Sequence, residues 1–260
     1  MGGQLEAGRS DARKNRGGRP SGKRYQEFGI VYSGTKLGLR TSGPPTDFGT
    51  RRTTALVYED TANAGRNKRM NRQPAGSLFR AALEIQEFFE SQRREFAFIG
   101  GLANLRWGQP RTTEDIDAVL LTLFADEERI VKKILEHFSA RIPNAESFAL
   151  QNRVLLLTAS NGVGLDISLG GLPFEQEMIE RSSFFAFEEG CDLRTCSAED
   201  LIVLKAFAAR EKDWTDIRMI LERQKGRLNT SEIFASLQPL CEAKEEPEIL
   251  VRLSQMFDSQ

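Results

Sequence analysis

Three aspartates are the residues whose types and spacing could do chemistry. Asp115 and Asp117 stand two apart in the run Glu114-Asp115-Ile116-Asp117-Ala118-Val119-Leu120-Leu121, which passes from polar to apolar as a strand does. At that spacing a strand sends both carboxylates to one face, while Ile116 turns to the other and enters the core. Two neighbouring carboxylates repel, and set among apolar residues they call for a compensating positive charge. Magnesium meets that need, because it takes oxygen ligands and keeps positions for water or phosphate oxygens. Asp166 lies in another apolar run, Val163 to Leu169. On an adjacent strand it would let two ions share three carboxylates, one ion holding a triphosphate and the other activating an attacking hydroxyl.

Upstream, Phe96 to Ile99 reads as a short buried strand that stops at Gly100-Gly101. Glycines at a strand-to-helix turn let phosphate oxygens reach backbone N–H groups with no side chain in the way. Arg111 can add charge to the phosphates. Each feature alone has a plainer reading: an Asp-x-Asp is often a turn or a cap, a Gly pair only a turn, and Asp166 an exposed-face residue. Their conjunction within one stretch points to a site.

The elements that must position these residues follow from hydrophobic periodicity. Leu78, Ala81, Ala82, Ile85, Phe88 and Phe89 recur at helical spacing over Leu78 to Arg93. A short helix, Leu102 to Trp107, leaves the Gly-Gly turn and ends at Gly108-Gln109-Pro110. A helix from about Asp126 to Phe138 buries Ile130, Val131, Ile134, Leu135 and Phe138. Arg153 to Ala159 and Val163 to Leu169 then form two strands joined by Ser160-Asn161-Gly162, a hairpin turn sequence. Ser197 caps a helix running from Glu199 to Glu211, and Asp213 is a candidate cap for another, Trp214 to Gln224. Thr230 to Phe257 reads as one or two bundle helices, with Ser231 a possible cap and Pro247 a break or first-turn residue.

Charge divides the chain. Residues 1–76 hold 15 Lys and Arg against 6 Asp and Glu, so they carry about +9 and the remainder about −10. Rich in Gly, Arg, Ser, Thr and Pro, that segment cannot bury enough surface to fold alone and reads as a disordered basic arm. It is either an electrostatic contact for nucleic acid or dispensable, with Met70 an alternative start. Gly17 to Arg24, GGRPSGKR, imitates a phosphate-binding loop but puts Arg24 where Ser or Thr is required. Three cysteines and the lone His137 form neither a disulfide framework nor a zinc site, and the cysteines read as reduced thiols. His137 reads as a surface or packing residue. No apolar run reaches membrane-spanning length, no signal peptide opens the chain, and Glu6 breaks a myristoylation pattern; the expected location is cytoplasmic.

The run Phe98-Ile99-Gly100-Gly101-Leu102-Ala103 through Pro110-Arg111-Thr112-Thr113-Glu114-Asp115-Ile116-Asp117 resembles the signature of the DNA polymerase beta type nucleotidyltransferase superfamily. It is closest to the AbiEii toxin-like branch. Ser197 to Lys205 followed by Ala208 to Ile217 is similar to that branch's helical Lys…Arg…Asp…Asp segment, and the likeness spans roughly residues 96 to 224. The resemblance implies an α+β fold, a nucleotidyltransferase-type mixed β-sheet backed by helices, over residues 77–195, followed by a helical C-terminal part, 196–260. It implies two Mg2+ ions on Asp115 and Asp117, with Asp166 completing the site and helping to deprotonate an acceptor hydroxyl. The triphosphate would be held at Gly100, Gly101, Arg111 and Thr113. Gly101 stands where many members have serine, so a hydroxyl contact to phosphate is lost. Lys205 is a further nucleotide-side candidate, or a structural partner of Asp213 or Asp216; Arg210 reads as a structural pair.

The reaction so implied moves a nucleoside monophosphate, such as that of ATP, from an NTP to a hydroxyl of RNA, for example tRNA, or of protein. A toxin-antitoxin setting with a cognate antitoxin follows from the same branch. Two other readings stay open: a catalytically inactive nucleotidyltransferase-fold regulatory module, and a nucleic-acid binder acting through the basic arm.

Overall fold

The computed structural model describes residues 26–32, 35–41, 56–60, 75–122 and 126–259, with side chains from residue 77 onward. The expectation of a disordered arm over residues 1–76 therefore lies largely outside the described residues. Its described segments are β1 (Gln26–Tyr32), β2 (Thr35–Thr41) and β3 (Leu56–Asp60), paired antiparallel in that order.

From α1 (Ala75–Ser91) the chain builds a seven-stranded mixed sheet. Its strands are β4 (Phe96–Phe98), β5 (Asp115–Leu121), β6 (Ser139–Ala140), β7 (Val154–Thr158), β8 (Gly164–Gly170), β9 (Ser183–Glu188) and β10 (Cys191–Thr195). They lie in the order β6-β7-β8-β5-β4-β10-β9. β5 runs parallel to β8 and antiparallel to β4, and β4 runs parallel to β10. The expected hairpin is present: β7 and β8 pair antiparallel, with Val154 opposite Ser168 and Thr158 opposite Gly164.

Strand alternation sorts the side chains into two cores. Phe96, Phe98, Ile116, Ala118, Leu120, Leu165, Ile167 and Leu169 face a core shared with Ile85 and Phe89 of α1 and with Ile130 and Ile134 of α3 (Glu127–Leu135). The helix α4 (Ala145–Asn152) closes that layer through Ala145 and Ala149. The intervening residues Ala97, Ile99 and Val119 face a second core. There they meet Ala103 of α2 (Gly100–Trp107), Phe174 and Met178 of α5 (Pro173–Arg181), and the C-terminal helices α6 (Ala198–Ala208), α7 (Glu211–Arg223), α8 (Thr230–Lys244) and α9 (Glu248–Asp258). Asp115, Asp117 and Asp166 belong to this second face by the same alternation.

Several boundaries differ from the periodic reading. α2 begins on Gly100 itself rather than at Leu102. Asp213 is not the cap; α7 starts three residues earlier than Trp214, after Arg210, because Ala209 turns left-handed at φ 55° and ends α6. Ser231 is likewise inside α8, whose first N–H groups are met by Asn229, the side chain accepting from Glu232 N. Ser197 does cap α6, its hydroxyl accepting from Asp200 N, and Pro247 immediately precedes α9. His137 is a packing residue, stacked on Phe88 with centroids 4.8 Å apart. The three cysteines are free and buried; burial pushes the Cys191 and Cys241 thiols up to about 11. Among the described residues no helix is long and apolar enough to cross a membrane.

Candidate active site

The parallel ladder of β5 and β8 sets Asp115 opposite Gly164, Ile116 opposite Leu165 and Asp117 opposite Asp166. Partners in a ladder share a face, so the three carboxylates lie together while the intervening Ile116, Leu165 and Ile167 are buried behind them. The local reason is the change of character along β5, where Asp115 is exposed and Asp117 half-buried while the later residues, Ala118 to Leu120, are fully covered.

Gly100 is required at this place. It has φ +56°, and a Cβ there would run into the carboxylate of Asp117. Ile99 N–H donates to Asp117 O at 2.9 Å, which ties the turn to β5. A Cβ on Gly101 would collide with the hydroxyl and Cβ of Thr113. The serine common in the resembling family would thus have no room here unless Thr113 moved. Thr113 Oγ1 itself donates to Asp115 O at 3.2 Å, so the pair Gly101 and Thr113 packs the turn against the mouth of β5.

One residue at the carboxylates went unread in the sequence. Arg141, just beyond β6, bonds Asp166 through Nη2 and places Nη1 3.8 Å from Asp115 Oδ1. Burial draws its pKa down, and Asp115 and Asp117 draw it up. Gly164 leaves the space for this contact, since a Cβ there would strike Asp115 Oδ1 and lie 2.9 Å from Arg141 Nη1. The side chains stay accessible, at 51% for Asp115, 30% for Arg141 and 21% for Asp166. Among the described residues no three His, Cys, Asp or Glu side chains gather into a ready metal cage. The donor set, all carboxylate oxygen and facing a cation, nevertheless has the chemistry that a hard divalent ion selects.

A second charge cluster adjoins the first. Asp216 accepts from Arg111 Nε and Nη2, both at 3.1 Å, and from Lys205 Nζ at 2.5 Å. Asp213 pairs with Arg210 and stands 3.8 Å from the same Lys205 amine. Lys205 has the two acidic partners expected of a structural lysine: its side chain is 6% exposed and fills the gap between Asp213 at 2% and Asp216 at 8%. Burial raises the pKa of Asp216, but the hydrogen bonds and charges of Arg111 and Lys205 outweigh it and hold the carboxyl below its ordinary value. Arg111 is thereby anchored at the loop before β5. Lys212 is exposed at the start of α7, one turn before Asp216 on the same helix face. Partial burial and Arg210 lower its pKa, Arg111 lowers it further, and Asp213 and Asp117 oppose them. The signal that could have found Arg141 was faint, one arginine in a loop, whereas the helical spacing of Lys205, Lys212 and Asp216 already put Lys212 on their face.

The family model described as "Nucleotidyl transferase AbiEii toxin, Type IV TA system" matches residues 85–258, and the chain belongs to that family of nucleotidyltransferases. Three solved structures are similar in fold. An antigenic nucleotidyltransferase-like protein from Paracoccidioides brasiliensis is 16% identical, with a TM-score of 0.43 over 72% of this chain and 94% of that one. The antibiotic-resistance factor ANT(2'')-Ia in solution is 15% identical, with a TM-score of 0.42 over 65% and 94%. The same factor in complex with adenylyl-2''-tobramycin is 15% identical, with a TM-score of 0.42 over 63% and 97%. No curated protein matches the chain.

Proposed function

We propose that this nucleotidyltransferase moves a nucleoside monophosphate from an NTP to a hydroxyl of RNA, such as the end of a tRNA, or of protein, as the toxin of a toxin-antitoxin pair. The acceptor oxygen forms a bond to the α-phosphorus, the bond from that phosphorus to the pyrophosphate oxygen breaks, and the hydroxyl proton leaves. The observation that carries the reading is the register that aligns Asp117 with Asp166 beside Asp115 on one open face of the sheet.

Asp115, Asp117 and Asp166 are the residues that would hold two magnesium ions, which when bound supply Lewis-acid polarisation and charge neutralisation for the phosphates. Asp166 orients the acceptor hydroxyl and receives its proton. Gly100 and Gly101 open the α2 turn to phosphate oxygens, helped by the N-terminus of that eight-residue helix. Arg111, steadied by Asp216, and the exposed Lys212 present positive charge to the triphosphate, and Thr113 supplies a hydroxyl at the same mouth. Lys205 serves the nucleotide indirectly, by fixing Asp216 and through it Arg111. The family supports the toxin setting and a neighbouring antitoxin as partner.

The test is incubation of the full chain with each α-labelled NTP, Mg2+ and total cellular RNA or protein. Wild type should transfer label, and Asp117→Ala should lower transfer by about a hundredfold or more, the scale on which loss of an electrostatic catalytic group is felt. Undiminished labelling by the variant would remove Asp117 from the reaction.

A further inference from the structure

The carboxylate face already contains a cation of its own. The backbone N–H of Arg141 donates to Leu156 O at 2.9 Å. Leu156 is opposite Asp166, and Asp166 is opposite Asp117. Arg141, Leu156, Asp166 and Asp117 thus form one row across the sheet, and the guanidinium reaches over Leu156 to bond Asp166 and approach Asp115. Gly164 keeps the gap clear, as the collision of any Cβ there with Asp115 shows.

A guanidinium stays charged at every physiological pH and neutralises carboxylates without demanding an octahedral ligand set. It is also the weaker competitor, since an ion pair this exposed gives little stabilisation and exchanges readily. Resting on the reading of Asp115, Asp117 and Asp166 as metal ligands, we propose that Arg141 is a resident counter-cation of this face. It holds Asp115 and Asp166 together in the metal-free chain and competes with a divalent ion for them, so metal enters only as the guanidinium leaves. Arg141 is in this sense a positioning residue, one that keeps like charges assembled and sets a threshold for metal binding.

The probe is Mn2+, titrated without nucleotide into the full chain and followed by the electron paramagnetic resonance signal of free ion. Arg141→Gln should bind Mn2+ about tenfold or more tightly than wild type, whereas Arg141→Lys, which keeps the charge, should stay near wild type. A residue with a merely structural role would weaken metal binding when removed, the opposite sign. Melting gives a second readout that does not depend on equal folding at the start. In chelator Arg141→Gln should melt below wild type, and saturating Mn2+ should raise its Tm by more than it raises that of wild type. Equal or weaker Mn2+ binding by Arg141→Gln, with binding still abolished by Asp117→Ala, overturns the role of Arg141 and leaves the carboxylates as metal ligands. Absence of Mn2+ binding in both wild type and Arg141→Gln overturns the metal reading and this proposal together.

Discussion

Two clusters of aspartate and cation lie side by side in this protein and differ in how far the protein encloses them. In one, Asp213 and Asp216 are sealed beneath α6 and α7 with Lys205 between them, and every charge has its partner within the protein. In the other, Asp115, Asp117 and Asp166 lie on a sheet face that the C-terminal helices do not fully cover, with Arg141 as an accessible companion. The residue types are nearly the same. Burial is what differs, and it decides whether a carboxylate can exchange its partner for an outside cation. A sealed pair resists exchange because removing either member strands the other in a poor dielectric. An open one costs little to rearrange.

The largest effect that should separate the clusters is on stability. Lys205→Ala leaves Asp213 and Asp216 without their shared cation and should cost about 3–5 kcal/mol, measured by urea unfolding. Asp115→Asn should change stability by less than about 1 kcal/mol while impairing label transfer. Equal losses from the two substitutions would erase the distinction between a structural and an exchangeable cluster.

An intermediate effect concerns acid. Because Asp216 has its folded pKa depressed, its stabilisation is complete above the unfolded carboxylate value of about 3.9 and is lost as pH falls through the lower folded value. Wild type should therefore exceed Asp216→Asn in stability at neutral pH, with the gap closing below about pH 4. A gap that stays constant down to pH 2 would mean that the carboxylate charge of Asp216 is not what the neighbouring cations stabilise.

The smallest effect on folding belongs to the exposed arginine that the sealed cluster anchors in the loop before β5. Arg111 is 43% exposed and bonded to Asp216, so Arg111→Gln should cost less than about 1 kcal/mol. Its influence should appear in nucleotide binding, as a KM for NTP raised several-fold with kcat less changed. A reduced melting temperature with unaltered KM would make Arg111 a strut alone.

Much of this arrangement is legible in the amino-acid sequence. Alternation in Asp115-Ile116-Asp117-Ala118-Val119 placed two carboxylates on one face, and Ser160-Asn161-Gly162 between two apolar runs made the β7–β8 hairpin and carried Asp166 with it. Both signals are local: strand alternation has a period of two and the turn depends on a few neighbouring residues, so each can be read from a short window. The helix of Leu78 to Arg93 was readable for the same reason. β9, β10 and α5 were not, since short segments without a strong period gain their form from the neighbours they meet.

What the linear chain determined by itself, then, was which carboxylates point the same way within a strand and where the chain turns. Only the tertiary structure decided that β5 pairs with β8 in the register that joins Asp117 to Asp166, that Arg141 arrives from two strands away, and that Lys205 is enclosed by Asp213 and Asp216. The physical reason is that pairing register, burial and the choice of ionic partner are properties of surfaces brought together across many residues of chain. No local pattern specifies which cation will lie nearest once those surfaces close.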